Sequence, residues 1–133
     1  SEIDMKKLML ILLLVVCNTM HAQEWITDDD FDVKISGKNA YGESYAVVVV
    51  EFYASFNKDN EFKDWDLLEG VKYYKCDIKK APQAKKNYKV RMAPTIIIYL
   101  EGILHEDYRA GLDLVCPVNL VELQEEIDKI NKY

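Results

Sequence analysis

Tyr45–Asn60 reads YAVVVVEFYASFNKDN, and its two halves follow different rules. Ala46 to Phe52 is a β-branched run ending in an aromatic residue and interrupted only by Glu51. A run with so little polar alternation is expected of a strand covered on both faces, which places it at the centre of a sheet. Beyond it the spacing changes. From Asn57 onward Phe62, Trp65 and Leu67 or Leu68 recur at helical intervals as far as Gly70, a good C-terminal stop, so the pattern predicts a helix over 57–68.

Working outward, Val71 to Asp77 is expected to form the next strand. Ala81 to Tyr88 reads as a short helix with Pro82 in its first turn, where a missing backbone N–H costs nothing. Thr95 to Leu100 and Ile103 to Tyr108 read as two strands joined by a tight turn at Glu101-Gly102. The clearest helix is the last: Leu120, Leu123, Ile127 and Ile130 fall on one face, Asn119 is placed to cap it, and Glu122 follows three residues later as in a capping box. Strands that alternate with helices and end in a hairpin imply an α/β domain of three layers, with a central mixed β-sheet flanked by helices.

Half of the 133 residues are apolar and 30% are charged, an ordinary balance for a single globular domain. The net charge of −6 excludes a broad polyanion-binding surface, which would need clustered Lys and Arg to neutralise phosphates, so nucleic acid is not an expected partner. The basic stretch Lys79, Lys80, Lys85, Lys86 and Lys89 reads as a solvated helix face. Asp28-Asp29-Asp30 lacks the spacing, glycine and distal acid of a calcium loop. His21 and His105 stand alone, so no metal site is expected, and no cofactor is implied.

The segment as a whole resembles the thioredoxin and protein disulfide isomerase family, with its cysteines missing. That family passes from an apolar strand through an acid, an aromatic and a small residue into Cys-x-x-Cys, and here Asn57 and Asn60 occupy the two cysteine positions. Further blocks follow in order. Ile26–Asp32 resembles the end of the first strand and the entry to the first helix, with Asp28 to Asp30 as an N-cap. Lys89–Tyr99, KVRMAPTIIIY, resembles the segment in which the family carries a cis-proline facing the active-site turn, here Pro94. Arg109-Ala110-Gly111 resembles the glycine after the last strand. The resemblance implies a thioredoxin-like three-layer fold over 23–133, with a helix after the turn about two turns shorter than the family's.

Thiol–disulfide exchange needs a thiolate to attack and a second sulfur to resolve the mixed disulfide; an amide provides neither. The resemblance therefore implies a redox-inactive domain that keeps a groove for a protein or peptide, lined by Phe56, Asn57, Asn60, Arg91, Met92, Ala93, Pro94 and Gly111. In the family, substrate segments pair as a short added strand with the backbone just before the cis-proline. The resemblance also implies a buried ion pair between Glu51 and Lys75, structural rather than catalytic. The alternative is a thiol–disulfide oxidoreductase or isomerase acting through Cys116, in the loop before the last helix. Cys76, within an expected inner strand, reads as a core residue, and the family's sheet order implies two strands between it and Cys116, or about 14 Å at about 4.8 Å per strand, too far for a disulfide.

The N-terminus follows a plan of its own. Met5-Lys6-Lys7 is a basic start, Leu8 to Val16 an apolar run of nine, and Cys17 to Ala22 a more polar stretch ending in a small residue. This is the layout of a secretory signal peptide, too short to span a bilayer. Residues 1–22 are therefore expected to be an upstream remnant, Ser1–Asp4, followed by a signal cleaved after Ala22. The mature domain would be exported, to a bacterial periplasm or outside the cell, with no stable membrane span after cleavage. A lipid-modified Cys17 is disfavoured because Val16 is not the small residue such processing wants. Oligomeric state is open.

Overall fold

The computed structural model describes residues 23–38, 41–42 and 46–132; the signal-like segment, Cys17 and His21 lie outside the described residues. β1 (Glu24–Trp25) leads into α1 (Phe31–Ile35), β2 (Val47–Tyr53), a kinked 3-10 segment (Ser55–Asn60), a second 3-10 turn (Trp65–Leu67), β3 (Val71–Asp77) and α2 (Pro82–Asn87). β4 (Thr95–Leu100), β5 (Ile103–Arg109) and α3 (Leu120–Asn131) complete the chain.

The sheet has the order β1-β3-β2-β4-β5. β1 and β3 run parallel to their neighbours, whereas β4 is antiparallel to both β2 and β5, so the sheet is mixed. β2 is the middle strand, and Val47 through Phe52 are all buried. Strand pleating divides its side chains between two cores. Val48, Val50 and Phe52 pack with Phe31 and Ile35 of α1, Ala84 of α2, Ile97 and Tyr99. Val47 and Val49 pack with Leu123 and Ile127 of α3, Ile96, Ile98, Phe62 and Tyr73. Each fully buried aliphatic or aromatic side chain contributes on the order of 1.5–3 kcal/mol, and this two-sided burial is why β2 shows no polar alternation.

The helix expected over 57–68 is not formed. Asn57 adopts φ −117° and ψ 30°, breaking the first 3-10 segment, and Glu61 and Leu68 are extended. Phe62, Trp65 and Leu68 still turn toward the α3 core, so their spacing reported burial rather than helix. Gly70 does not end a helix; with φ +72° it enters β3, and a Cβ there would lie 2.6 Å from the Asn131 amide that bonds its carbonyl.

Capping also differs at the first helix. Asp30 stands at its N-cap without a side-chain cap bond, and its carboxylate accepts from Thr27 N instead. Asp28 caps α2 from a distance, accepting from Gln83 N and Ala84 N at 2.9 Å each. At α3 the cap follows the sequence: Asn119 Oδ1 accepts from Glu122 N, and Asn119 Nδ2 donates to Glu122 Oε1. No helix among the described residues is long and apolar enough to cross a membrane.

Candidate functional site

Three loops meet at the end of β2. The first is the 3-10 segment Ser55–Asn60, where the strand's last carbonyls turn over and Phe56 is left 72% exposed. The second is the approach to β4, with Arg91 exposed, Met92 half-buried, and Ala93 and Pro94 buried; the Ala93–Pro94 bond is cis. The third follows β5, where Gly111 and Leu112 are exposed and Leu114 N donates to Gly111 O at 3.0 Å.

Asn57 joins all three. Its Nδ2 donates to Ala93 O at 2.7 Å and to Leu114 O at 2.8 Å, while its Oδ1 accepts from Asn60 Nδ2 at 2.8 Å. Both amide protons and the amide oxygen are thus engaged. A cysteine offers one weak S–H donor and reproduces none of this pattern. The neighbouring carbonyls are also committed: Met92 O accepts from Thr95 Oγ1 at 2.6 Å, and Pro94 O from Ala110 N at 3.2 Å. Of the residues named from sequence, Asn57, Asn60 and Ala93 are thus joined, with Leu114 as a member that its position in a loop of unremarkable composition did not announce.

Beneath the turn lies a buried polar cluster, and here one expectation is corrected. Glu51 and Lys75 are register partners across β2 and β3, yet they form no ion pair. The Glu51 carboxylate, 0% exposed, accepts from Tyr73 Oη at 2.5 Å and from Phe62 N at 3.3 Å. Tyr73 sits two residues before Lys75 on the same strand face and reaches the acid first. The longer Lys75 stem carries its ammonium over the Tyr53 ring, 4.2 Å from the centroid, to an ion pair with Glu61. Trp25, across the parallel β1–β3 pair, faces the same ammonium at 5.4 Å. A polar residue just after Asn60 and a tyrosine at i−2 from Lys75 were the sequence signals for these partners.

Burial pushes the Glu51 carboxyl up to about 7; the Tyr73 hydroxyl, the Lys75 charge and the Phe62 amide restrain it. Burial, and then the neighbouring Glu51, carry the Tyr73 hydroxyl well above its usual value. Cys116 is half-buried against the α3 core, its Sγ 3.4 Å from Val118 O, and burial raises its thiol. It lines a cleft of about 310 Å³ with Asn60, Glu61, Phe62 and Leu120, among others. Cys76 is fully buried in the opposite core, its thiol pushed up to about 12 by burial. The two cysteines thus lie on opposite faces of the sheet and both are free.

His105 lies 3.2 Å from Glu126 on the surface, and no group of His, Cys, Asp and Glu among the described residues is arranged to hold a metal.

No family model and no curated protein matches the sequence. Solved structures do match. The chain resembles a Schistosoma mansoni thioredoxin with TM-score 0.59 at 21% identity, over 80% of this chain and 92% of that one. A mutant thioredoxin from Halobacterium salinarum aligns with TM-score 0.61 at 18% identity, over 83% and 95%. The chain has a thioredoxin-like fold. A chain from a structural study of the thiol resolving mechanism in yeast mitochondrial 1-Cys peroxiredoxin shares it as well, with TM-score 0.57 at 19% identity over 81% and 95%.

Proposed function

We propose that this thioredoxin-like domain is an exported, redox-inactive module that binds a protein or peptide segment beside Pro94. The observation that carries the reading is the state of the two positions where the fold's enzymes hold thiols: Asn57 and Asn60 are both amides, the Asn57 side chain tying its loop to those of Ala93 and Leu114 and the Asn60 side chain bonding Asn57. The two cysteines in the domain are poor substitutes, since burial raises both thiols and lowers the thiolate fraction that exchange requires.

The binding half of the proposal rests on the groove. Phe56, at 72% exposure, directly precedes Asn57, which bonds Ala93 O, and Leu112, at 91%, and Val115 flank Leu114, whose carbonyl accepts from the same amide. Large apolar side chains grouped around a backbone segment are the usual marks of a surface that meets a partner. Extended segments would pair with the backbone at Ala93 in the manner of an added strand, with side chains resting on Phe56 and Leu112. Export rests on the signal-like layout of residues 5–22 alone.

The test uses a phage-displayed library of linear peptides against the 133-residue chain. Enriched peptides should lose binding to Phe56→Asp, which puts a charge on the exposed apolar side of the groove, and keep it with Cys116→Ser. Enrichment indifferent to Phe56→Asp would place binding elsewhere and sink the proposal.

A further inference from the structure

The groove beside Pro94 is closed by one of its own side chains, and the closure has the geometry of a latch. Ala93 is 3% exposed, and its carbonyl, the acceptor nearest the cis-proline, already holds the Asn57 amide at 2.7 Å. The same Nδ2 spans to Leu114 O in the loop after β5, so one planar group bridges segments 36 and 57 positions away in sequence. Asn60 supports this facing by donating to the amide oxygen. An inverted amide would present its oxygen to two carbonyl oxygens and its N–H groups to the Asn60 amide, so the two carbonyls and Asn60 together select the bridging orientation.

We infer that Asn57 and Asn60 form a latch that holds the three loops together in the free protein and shuts the Ala93 carbonyl to an incoming strand. Opening requires the Asn57 side chain to rotate away, which releases the Ala93 carbonyl and the Leu114 loop together. Of the bonds that occupy the carbonyls of Met92, Ala93 and Pro94, the Met92 bond is local to its own turn and the Pro94 bond is backbone pairing. The Asn57 bond is the one that a single loop side chain can make or break. Each such bond has a modest net worth, about 1 kcal/mol, which suits a contact that a partner must displace. The amides at the former thiol positions therefore have a mechanical role in place of a chemical one. The latch's control over binding rests on the peptide-binding reading of the groove; its mechanical part does not.

Hydrogen–deuterium exchange of the free 133-residue chain tests the mechanical part. In Asn57→Ala, segments 90–96 and 111–117 should exchange about ten- to thirtyfold faster, as expected for two lost bonds of that size, while α3 stays unchanged. Asn57→Cys should behave like Asn57→Ala, and Asn60→Ala should give a smaller acceleration in the same segments. Unchanged exchange, or acceleration spread over the whole chain, overturns the latch. If Asn57→Ala does not fold, wild-type protein still decides the matter: NMR couplings across hydrogen bonds from Asn57 Nδ2 to the carbonyl carbons of Ala93 and Leu114 should be present, and their absence overturns it.

The gating part is read with the peptides enriched on wild type. Asn57→Ala should bind them several-fold more tightly, because the closing contact is gone. Faster local exchange with unaltered or weaker peptide binding overturns the gating. Loss of binding in Phe56→Asp reports separately on the groove, so failure of the latch and failure of the binding site give different results.

Discussion

The two faces of the sheet solve burial in different ways. The face covered by α1 and α2 is built mainly from apolar side chains, Val48, Val50, Phe52 and Ile97 with Cys76 among them, and its buried Tyr99 hydroxyl has no hydrogen-bond partner among the described residues. The face covered by α3 admits Glu51, Tyr73 and Lys75 into the same depth, and all three lie under the turn that carries Asn57. Hydrophobic area holds the first face together and tolerates no gaps. The second gives up apolar burial for a polar cluster in which each charged group has a partner, an arrangement whose worth depends on every member being satisfied.

Phe52→Ala should have the largest effect on stability. It opens a cavity in the apolar face and should cost about 3–5 kcal/mol in urea unfolding. A loss below about 1 kcal/mol would mean that this face is not the close-packed one and would dissolve the comparison.

The polar face should instead reveal itself through pH. The folded Glu51 carboxyl titrates at about 7, against 4.5 for the ordinary group. Between those values the folded protein keeps a proton that the unfolded chain has released, so this residue's contribution to stability falls as pH rises through the interval. The expected decline is on the order of 3 kcal/mol, and Glu51→Gln should abolish it, leaving a variant more stable than wild type above neutrality. Parallel stability curves for the two proteins would remove Glu51 as the source.

A smaller effect is expected at Lys75 and Glu61. Glu61→Gln leaves a buried ammonium over the Tyr53 and Trp25 rings without its ion-pair partner. Because Glu61 is partly exposed, the cost should be about 1–2 kcal/mol. Adding Lys75→Met should recover part of that loss in a double-mutant cycle; strictly additive losses would show that the two are not coupled. Cys116→Ser, the mildest change, should cost less than about 1 kcal/mol in urea unfolding, and a larger loss would make the half-buried thiol a main support of the α3 face.

How far the sequence led depends on which forces wrote it. The strands at 47–53, 71–77, 95–100 and 103–109 and the helix at 120–131 were legible because burial imposes a period and caps mark ends. The helix expected over 57–68 was not, because Phe62, Trp65 and Leu68 face one core from two separate 3-10 turns, and periodicity reads the burial without the backbone. That Asn57, Asn60 and Ala93 belong to one neighbourhood was legible through the resemblance. Their connections were not: the Asn57 bridge depends on two backbone carbonyls, and carbonyls leave no trace in residue identity. The Glu51–Lys75 pair failed for a related reason. Register brings the two residues side by side, but side-chain length and the nearer Tyr73 hydroxyl decide which groups meet.

Insulin reduction under a thiol donor tests the central claim most directly, since it asks whether a thioredoxin-like fold with amides at both thiol positions retains the exchange chemistry. The 133-residue chain should show no turnover above a variant in which all three cysteines are serine, and its rate should not change with Cys116→Ser. Turnover in the wild-type chain that Cys116→Ser abolishes would contradict the account and make this an enzyme built around a displaced thiol.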